Sequence, residues 1–211
     1  MTEQFDQDED YVSPASKRRA YPMVFYDLDG DLDASPREDF YAAAAAIVGR
    51  LARRETLAEI EGLAALFLFR HYLELVLKSI VFGARSLESR DKNIPRGEVM
   101  YPGGHELLPL WIEAREKVPI KLGKGLWKQW DYPFVQRCIE DFHALDPTSE
   151  RLRYRWEKKA VARDALKSVR VNWSELIGVK RHTYEVLEAI DSYLVETYGQ
   201  NKDWENEMNS W

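Results

Sequence analysis

The segment 64–80, AALFLFRHYLELVLKSI, constrains the fold of this chain more than any other. At 3.6 residues per turn, its charged and histidine side chains fall within an arc of about 100° of a helix, and the remaining circumference is apolar except for Tyr72 and Ser79. These side chains are Arg70, His71, Glu74 and Lys78. A helix that is apolar on nearly every side is buried, where an unpaired charge is costly. We therefore expect a long central helix whose polar ribbon pairs internally, with another part of the chain or with a ligand.

The composition is that of a soluble globular protein. The chain has 211 residues, of which 45% are hydrophobic and 31% are charged, and it has no charge-free apolar run of about 18 residues. Its N-terminus, MTEQFDQDEDYVSP, is acidic, unlike a signal peptide. The single cysteine, Cys138, leaves no partner for an internal disulfide and too few thiolates for a zinc site. We predict a cytoplasmic protein without a membrane contact, a metal or a cofactor.

Charge is distributed unevenly along the chain. Residues 1–40 carry 11 acidic and 4 basic side chains, whereas residues 115–170 carry 14 basic and 8 acidic ones. A locally basic region indicates either an anionic partner such as nucleic acid or a solvated face that the acidic end shields.

Patterning divides the chain into an extended acidic arm over 1–34, a helical domain over 35–198 and a C-terminal tail over 199–211. Ser35 is a predicted cap, with Pro36 at the first helical position. The loop between the second and third helices is predicted over 85–104, where Gly and Pro are frequent. The predicted helices are Ser35–Arg54, Thr56–Ala84, His105–Val118, Tyr132–Leu145 and a last one from Asn172 or Ser174 to Tyr198.

A short hairpin is predicted beside the helices. Residues 151–158, RLRYRWEK, alternate with a period of two, and 167–171, KSVRV, would supply the partner strand. Alternation places the arginines on one face, which makes that face a candidate for phosphate contact. These arginines are Arg151, Arg153 and Arg155. The predicted fold is therefore all-α, a helical bundle with a small β-hairpin.

The acidic segment FYDLDGDL, 25–32, resembles the first motif of haloacid-dehalogenase-like hydrolases. The resemblance implies a phosphohydrolase that uses Asp27 as nucleophile and Asp29 as acid and base. No alternating strand–helix pattern follows, so a doubly wound sheet cannot be built from the remainder. An acidic, solvated turn before the first helix is the favoured interpretation.

A second resemblance covers about residues 38–195. The pattern Glu74-Leu-x-Leu-Lys78, followed after a polar loop by Gly104-His105-Glu-Leu, resembles HEPN (higher eukaryote and prokaryote nucleotide-binding) domains. The later segment FHALDPTS, 142–149, with RLRYRWEK is similar to uncharacterised bacterial relatives. The resemblance implies an all-α bundle that usually forms a homodimer. It also implies RNA as a ligand and a protein partner in bacterial defence or toxin–antitoxin systems.

Many HEPN proteins are metal-independent ribonucleases, and others are non-catalytic dimerisation or interaction modules. The ribonucleases use an Arg followed four to six residues later by a His on one helix, paired across the dimer. The matching residues here are Arg137 and His143, which makes them the candidate catalytic pair. His143 would act as general base on a ribose 2′-hydroxyl and Arg137 would stabilise the phosphate charge. Six residues advance a regular helix by about 600°, so the two side chains would point about 120° apart unless the helix distorts or ends near Leu145.

The polar ribbon has two alternative roles at this stage. Charges at i, i+4 and i+8 neutralise one another in many buried helices, which favours a structural network. Binding of RNA or another ligand is the alternative, and His105 would either complete the network or bind an anion at the start of the third helix. The candidate ligand-binding residues of this region are Arg70, His71, Glu74, Lys78 and His105.

Overall fold

The described part of the chain is helical throughout, with turns and loops between the helices. The computed structural model describes residues 36–54, 58–92, 94, 98–122, 132–152 and 170–208. Within these residues the helices are α1 (Pro36–Ala52), α2 (Ala58–Asp91), α3 (Leu107–Leu122), α4 (Tyr132–Leu145) and α5 (Trp173–Met208). No helix among them is both long and apolar enough to cross a membrane. The prediction of an all-α helical bundle is confirmed for these residues.

The central helix is α2, which packs against α1, α3 and α5. Its apolar positions are buried on several sides, as expected for a helix that is apolar around most of its circumference. Those in the main core include Phe69, Tyr72, Leu73, Val76, Leu77, Ile80 and Val81. Helix α4 closes the bundle by packing against α3 and α5, and it contributes Val135, Cys138, Ile139 and Phe142 to the core.

Helix α2 extends beyond its predicted end at Ala84 and continues to Asp91. The additional turns are stabilised by contacts with α3. Leu87 is buried, and Arg85 donates to both carboxylate oxygens of Glu113 at 2.7 and 2.8 Å. The composition of this polar segment assigned it to a loop, but its partners on α3 keep it helical.

Two other helices differ from prediction at their ends. Helix α3 begins at Leu107 and runs through Pro119 to Leu122, so His105 lies in the loop before it. Helix α5 begins where expected, because the side chain of Asn172 accepts from the Glu175 amide at 3.3 Å and caps it. It continues past Tyr198 to Met208.

Several predictions fall on residues outside those described. These residues include 1–35, with the acidic arm, the Ser35 cap and the Asp27–Asp29 motif, and 153–169, with most of the predicted hairpin. At the edge of the hairpin segment, Arg151 and Leu152 lie in a turn. The division into arm, domain and tail, and the hairpin itself, stay predictions.

Candidate functional site

The polar ribbon of α2 forms a buried network centred on Glu74. This residue is 1% exposed. Its Oε2 accepts from Arg70 Nη1 at 3.2 Å, and its Oε1 accepts from Lys78 Nζ at 2.9 Å. The same Oε1 lies 2.7 Å from Nδ1 of His105. Both oxygens of this buried carboxylate are therefore paired, as a charge in the core requires.

Arg70 connects α2 to two other segments. It is fully buried, and its Nε donates to the main-chain oxygen of Asp146 at 2.9 Å. Its Nη2 donates to the main-chain oxygen of His105 at 2.6 Å. The guanidinium thus holds the loop before α3 and the end of α4 against the central helix.

Asp146 is the second carboxylate of this network, and sequence reasoning missed it. Its Oδ2 lies 3.5 Å from Arg70 Nε, and its carboxylate also accepts from the amides of Arg151 and Leu152 at 3.1 and 3.3 Å. In the sequence, Asp146 and Pro147 only follow the predicted end of the fourth helix at Leu145. One sign of a second acid was present in the sequence: the ribbon has two permanent cations, Arg70 and Lys78, but only one acid, Glu74.

The charges of the network cancel when His105 is neutral. Arg70 and Lys78 balance Glu74 and Asp146. Burial disfavours the charged form of Glu74, but hydrogen bonds from Lys78 and His105, together with their charge, outweigh it and lower the pKa of this carboxyl. Glu74 is therefore ionised at neutral pH, and the buried part of the ribbon is self-neutralised.

His71 and His105, both candidate site residues, have different environments. His71 packs against the rings of Phe40 and Phe67, with centroids 4.5 and 5.8 Å away. The side chain of His105 is 54% exposed although its Nδ1 faces a buried carboxylate. Of these two, His105 is the one whose imidazole reaches solvent from the network.

The candidate catalytic pair lies on α4, which stays helical through Leu145. Arg137 is exposed, and its Nε donates over 3.5 Å to the main-chain oxygen of Pro133. His143 is half-buried, and its Nδ1 has no hydrogen-bond partner in the described part of the chain. With regular helical geometry up to Leu145, the two side chains leave α4 about 120° apart. One copy of the described chain does not bring them to a common point.

The arginine face of the predicted hairpin is described at one residue. Arg151 is half-buried, and its amide donates to Asp146. Arg153 and Arg155 lie outside the described residues, so their role in phosphate contact stays a prediction.

A second polar cluster joins α1, α2 and α5. Arg37 Nη2 lies 2.8 Å from Glu188 and 2.6 Å from Asp191, and the Tyr72 hydroxyl donates to Glu188 at 3.1 Å. Burial, with the charge of Asp191 added, raises the pKa of Glu188 despite the opposing effect of Arg37. These ion pairs hold the start of α1 against α5, so the role of this cluster is structural.

A shallow hollow of about 140 Å³ adjoins the loop before α3. Gly103 and Gly104 line it together with Arg85 and Glu113, whose charges are paired with each other. Among the described residues, no three His, Cys, Asp or Glu side chains are grouped to hold a metal ion.

Comparison of the chain with protein-family models, with curated proteins and with solved structures finds no match. The candidate function therefore depends on the geometry of the site and on the sequence resemblance.

Proposed function

We propose that this chain is a HEPN-like helical protein that binds RNA and cleaves it without a metal ion. The supporting observation is the meeting of two separate motifs in one hydrogen-bonded unit. Glu74 and Lys78 come from the first motif, and His105 comes from the second. Lys78 and His105 are far apart in the sequence, yet both contact Oε1 of Glu74. This is expected if the two motifs belong to one fold. The resemblance further implies a role in bacterial defence or a toxin–antitoxin system.

In this proposal the chain works as a homodimer. Arg137 and His143 diverge on α4, so a shared site needs a second copy to bring an Arg and a His together. The exposure of Arg137 supports this, because the residue is accessible to a second copy. Nδ1 of His143 is buried, so its Nε2 would be the nitrogen that takes part. Arg137 would stabilise the phosphate, and His143 would accept the proton of the 2′-hydroxyl.

The test is cleavage of a single-stranded RNA oligonucleotide by purified protein in the presence of EDTA. We expect wild-type protein to cut it and the double variant Arg137→Ala/His143→Gln to lose at least about a hundredfold in rate. Arg181→Ala is the matched control, since Arg181 is also an exposed arginine but lies on a different helix. Light scattering after size exclusion measures the dimer, and thermal melting confirms that the variants fold. Equal rates in the wild type and the double variant would rule out the α4 pair.

The second candidate is a non-catalytic HEPN-like dimerisation or interaction module. The divergence of Arg137 and His143 on a regular helix favours it, and so does the internal neutralisation of the ribbon. In that case light scattering gives a dimer, no RNA is cut, and a binding assay with the same oligonucleotide detects no complex.

A further inference from the structure

His105 is exposed, yet its orientation is determined from inside the protein. Its side chain is 54% accessible, while Nδ1 lies 2.7 Å from the buried Glu74 carboxylate. Its main-chain oxygen accepts from the fully buried Arg70 at 2.6 Å. Two buried charged groups thus hold one loop residue at both its backbone and its ring. Such preorganisation is what a reacting group requires.

The partner of Nδ1 determines which ring nitrogen is basic. Glu74 is ionised, because its hydrogen bonds to Lys78 and His105 lower its pKa despite its burial. An ionised carboxylate only accepts hydrogen bonds, so Nδ1 of His105 must carry a proton. In the neutral ring the lone pair is then on Nε2. A carboxylate behind an imidazole also stabilises the imidazolium that forms when Nε2 accepts a proton.

Two glycines precede His105 in the loop. Gly104 has a φ of 75°, which favours glycine, and a Cβ at either Gly103 or Gly104 would have no atom of the described residues within 4 Å. Within the described part of the chain, no side chain therefore covers the backbone at these two glycines. The adjoining hollow gives additional room.

The same loop presents an aromatic ring. Tyr101 is 54% exposed, and its ring packs against Phe82 with centroids 5.5 Å apart. Burial raises the pKa of its hydroxyl, and the charges of Arg37, Asp191 and Glu74 also act on it. Tyr101 lies four residues before His105 in the same loop. An exposed ring in the loop that carries an oriented imidazole suits a nucleobase stacked there.

We propose that His105 is the general base for cleavage of single-stranded RNA, with Tyr101 stacking on a neighbouring base and Glu74 as the positioning residue. This inference rests on the proposed function for its substrate and reaction. It competes with the α4 pair for one step only: the proton of the 2′-hydroxyl goes to His105, in the loop before α3, in place of His143. Nε2 takes the proton of the 2′-hydroxyl, and the 2′-oxygen forms a bond to phosphorus. The bond from phosphorus to the 5′-oxygen breaks, and water protonates that oxygen. The imidazolium then returns its proton to the hydroxide, which leaves a 2′,3′-cyclic phosphate and a 5′-hydroxyl.

The experiment compares His105→Gln, the α4 double variant and the wild type on one RNA oligonucleotide in EDTA. We expect His105→Gln to lower the cleavage rate at least about a hundredfold. His182→Gln is the control and should keep the wild-type rate, because His182 lies on α5 against Phe134. Tyr101→Leu should weaken RNA binding by about tenfold or more through loss of stacking. Thermal melting verifies that each variant is folded.

Nitrogen NMR of ¹⁵N-histidine protein gives a readout independent of activity. We expect the neutral His105 ring to carry its proton on Nδ1, and a proton on Nε2 would overturn the inference. If His105→Gln cleaves RNA at the wild-type rate while the α4 variant is inactive, this inference is overturned and the proposed function stands. A wild-type protein that does not cleave RNA overturns both. Loss of cleavage in His105→Gln alone supports His105 and removes the α4 pair from the chemistry.

Discussion

Replacing Glu74 by Gln tests whether the buried network stabilises the fold. The variant keeps the size of the side chain but removes a charge that is 1% exposed and pairs with Arg70 and Lys78. Removing one partner of a buried ion pair costs about 3–5 kcal/mol because the remaining charge is left uncompensated. Gln still accepts hydrogen bonds, so we expect about 3 kcal/mol, a large part of the ~5–15 kcal/mol that stabilises a typical domain.

The assay is urea unfolding followed by circular dichroism, together with thermal melting. For a chain of this length, a loss of about 3 kcal/mol lowers Tm by ~6–12 °C. The pKa of Glu74 is lowered in the fold, so its contribution is present above the pKa of an unfolded glutamate, about 4.3, and is lost as the pH falls through the folded value. The difference between the wild type and Glu74→Gln should therefore shrink on acidification below about pH 4.

The matched control is Glu185→Gln on α5. Glu185 pairs with Arg181 at the same i, i+4 spacing, but the distance is 3.8 Å and the side chains are 61% and 73% exposed. An exposed pair of this kind contributes at most about 0.5 kcal/mol. If Glu74→Gln were as stable as Glu185→Gln, the reasoning about buried charge in this network would be refuted.

The remaining predictions concern packing and a buried amine. A Cβ at Gly83 would lie 3.3 Å from Cβ of Leu194, so Gly83→Ala should cost about 1–3 kcal/mol. Gly178→Ala, where a Cβ meets no described residue within 4 Å, should instead stabilise α5 by about 0.5–1 kcal/mol in the same melting assay, and equal Tm values for the two variants would contradict this. Burial lowers the pKa of Lys180, whose ammonium lies 4.6 Å from the ring centre of Tyr41, to about 8. Because the fold disfavours the charged amine, Lys180→Met should raise stability by about 1–3 kcal/mol at pH 7. That gain should diminish as the pH rises above 8, and urea unfolding at pH 7 and pH 10 that gave the same gain would count against it.

Local patterns in the sequence predicted several elements well. Helix α4 has the predicted bounds, Tyr132–Leu145, and Asn172 caps α5. The apolar circumference of α2 predicted a buried central helix whose polar ribbon needs partners, and it left open whether these are internal or a ligand. These features depend on spacing within one helix or on a cap a few residues away, which a single sequence displays directly.

Interactions between remote segments decided the rest. Helix α2 continues to Asp91 because Arg85 pairs with Glu113 on α3. Composition alone assigns that segment to a loop, since propensity describes a residue and its neighbours in sequence but not a partner on another helix.

The sequence by itself determined that the charged ribbon of α2 would be buried and would need partners. Only the tertiary structure decided that these partners are Asp146, after α4, and His105, in the loop before α3. Periodicity shows that a buried charge must be neutralised. It does not show which acid elsewhere in the chain becomes the partner, because every remote acid is an equal candidate in the sequence. The packing of α3 and α4 around α2 brings Asp146 and His105 to the ribbon. It also leaves the ring of His105 exposed at the surface of the network.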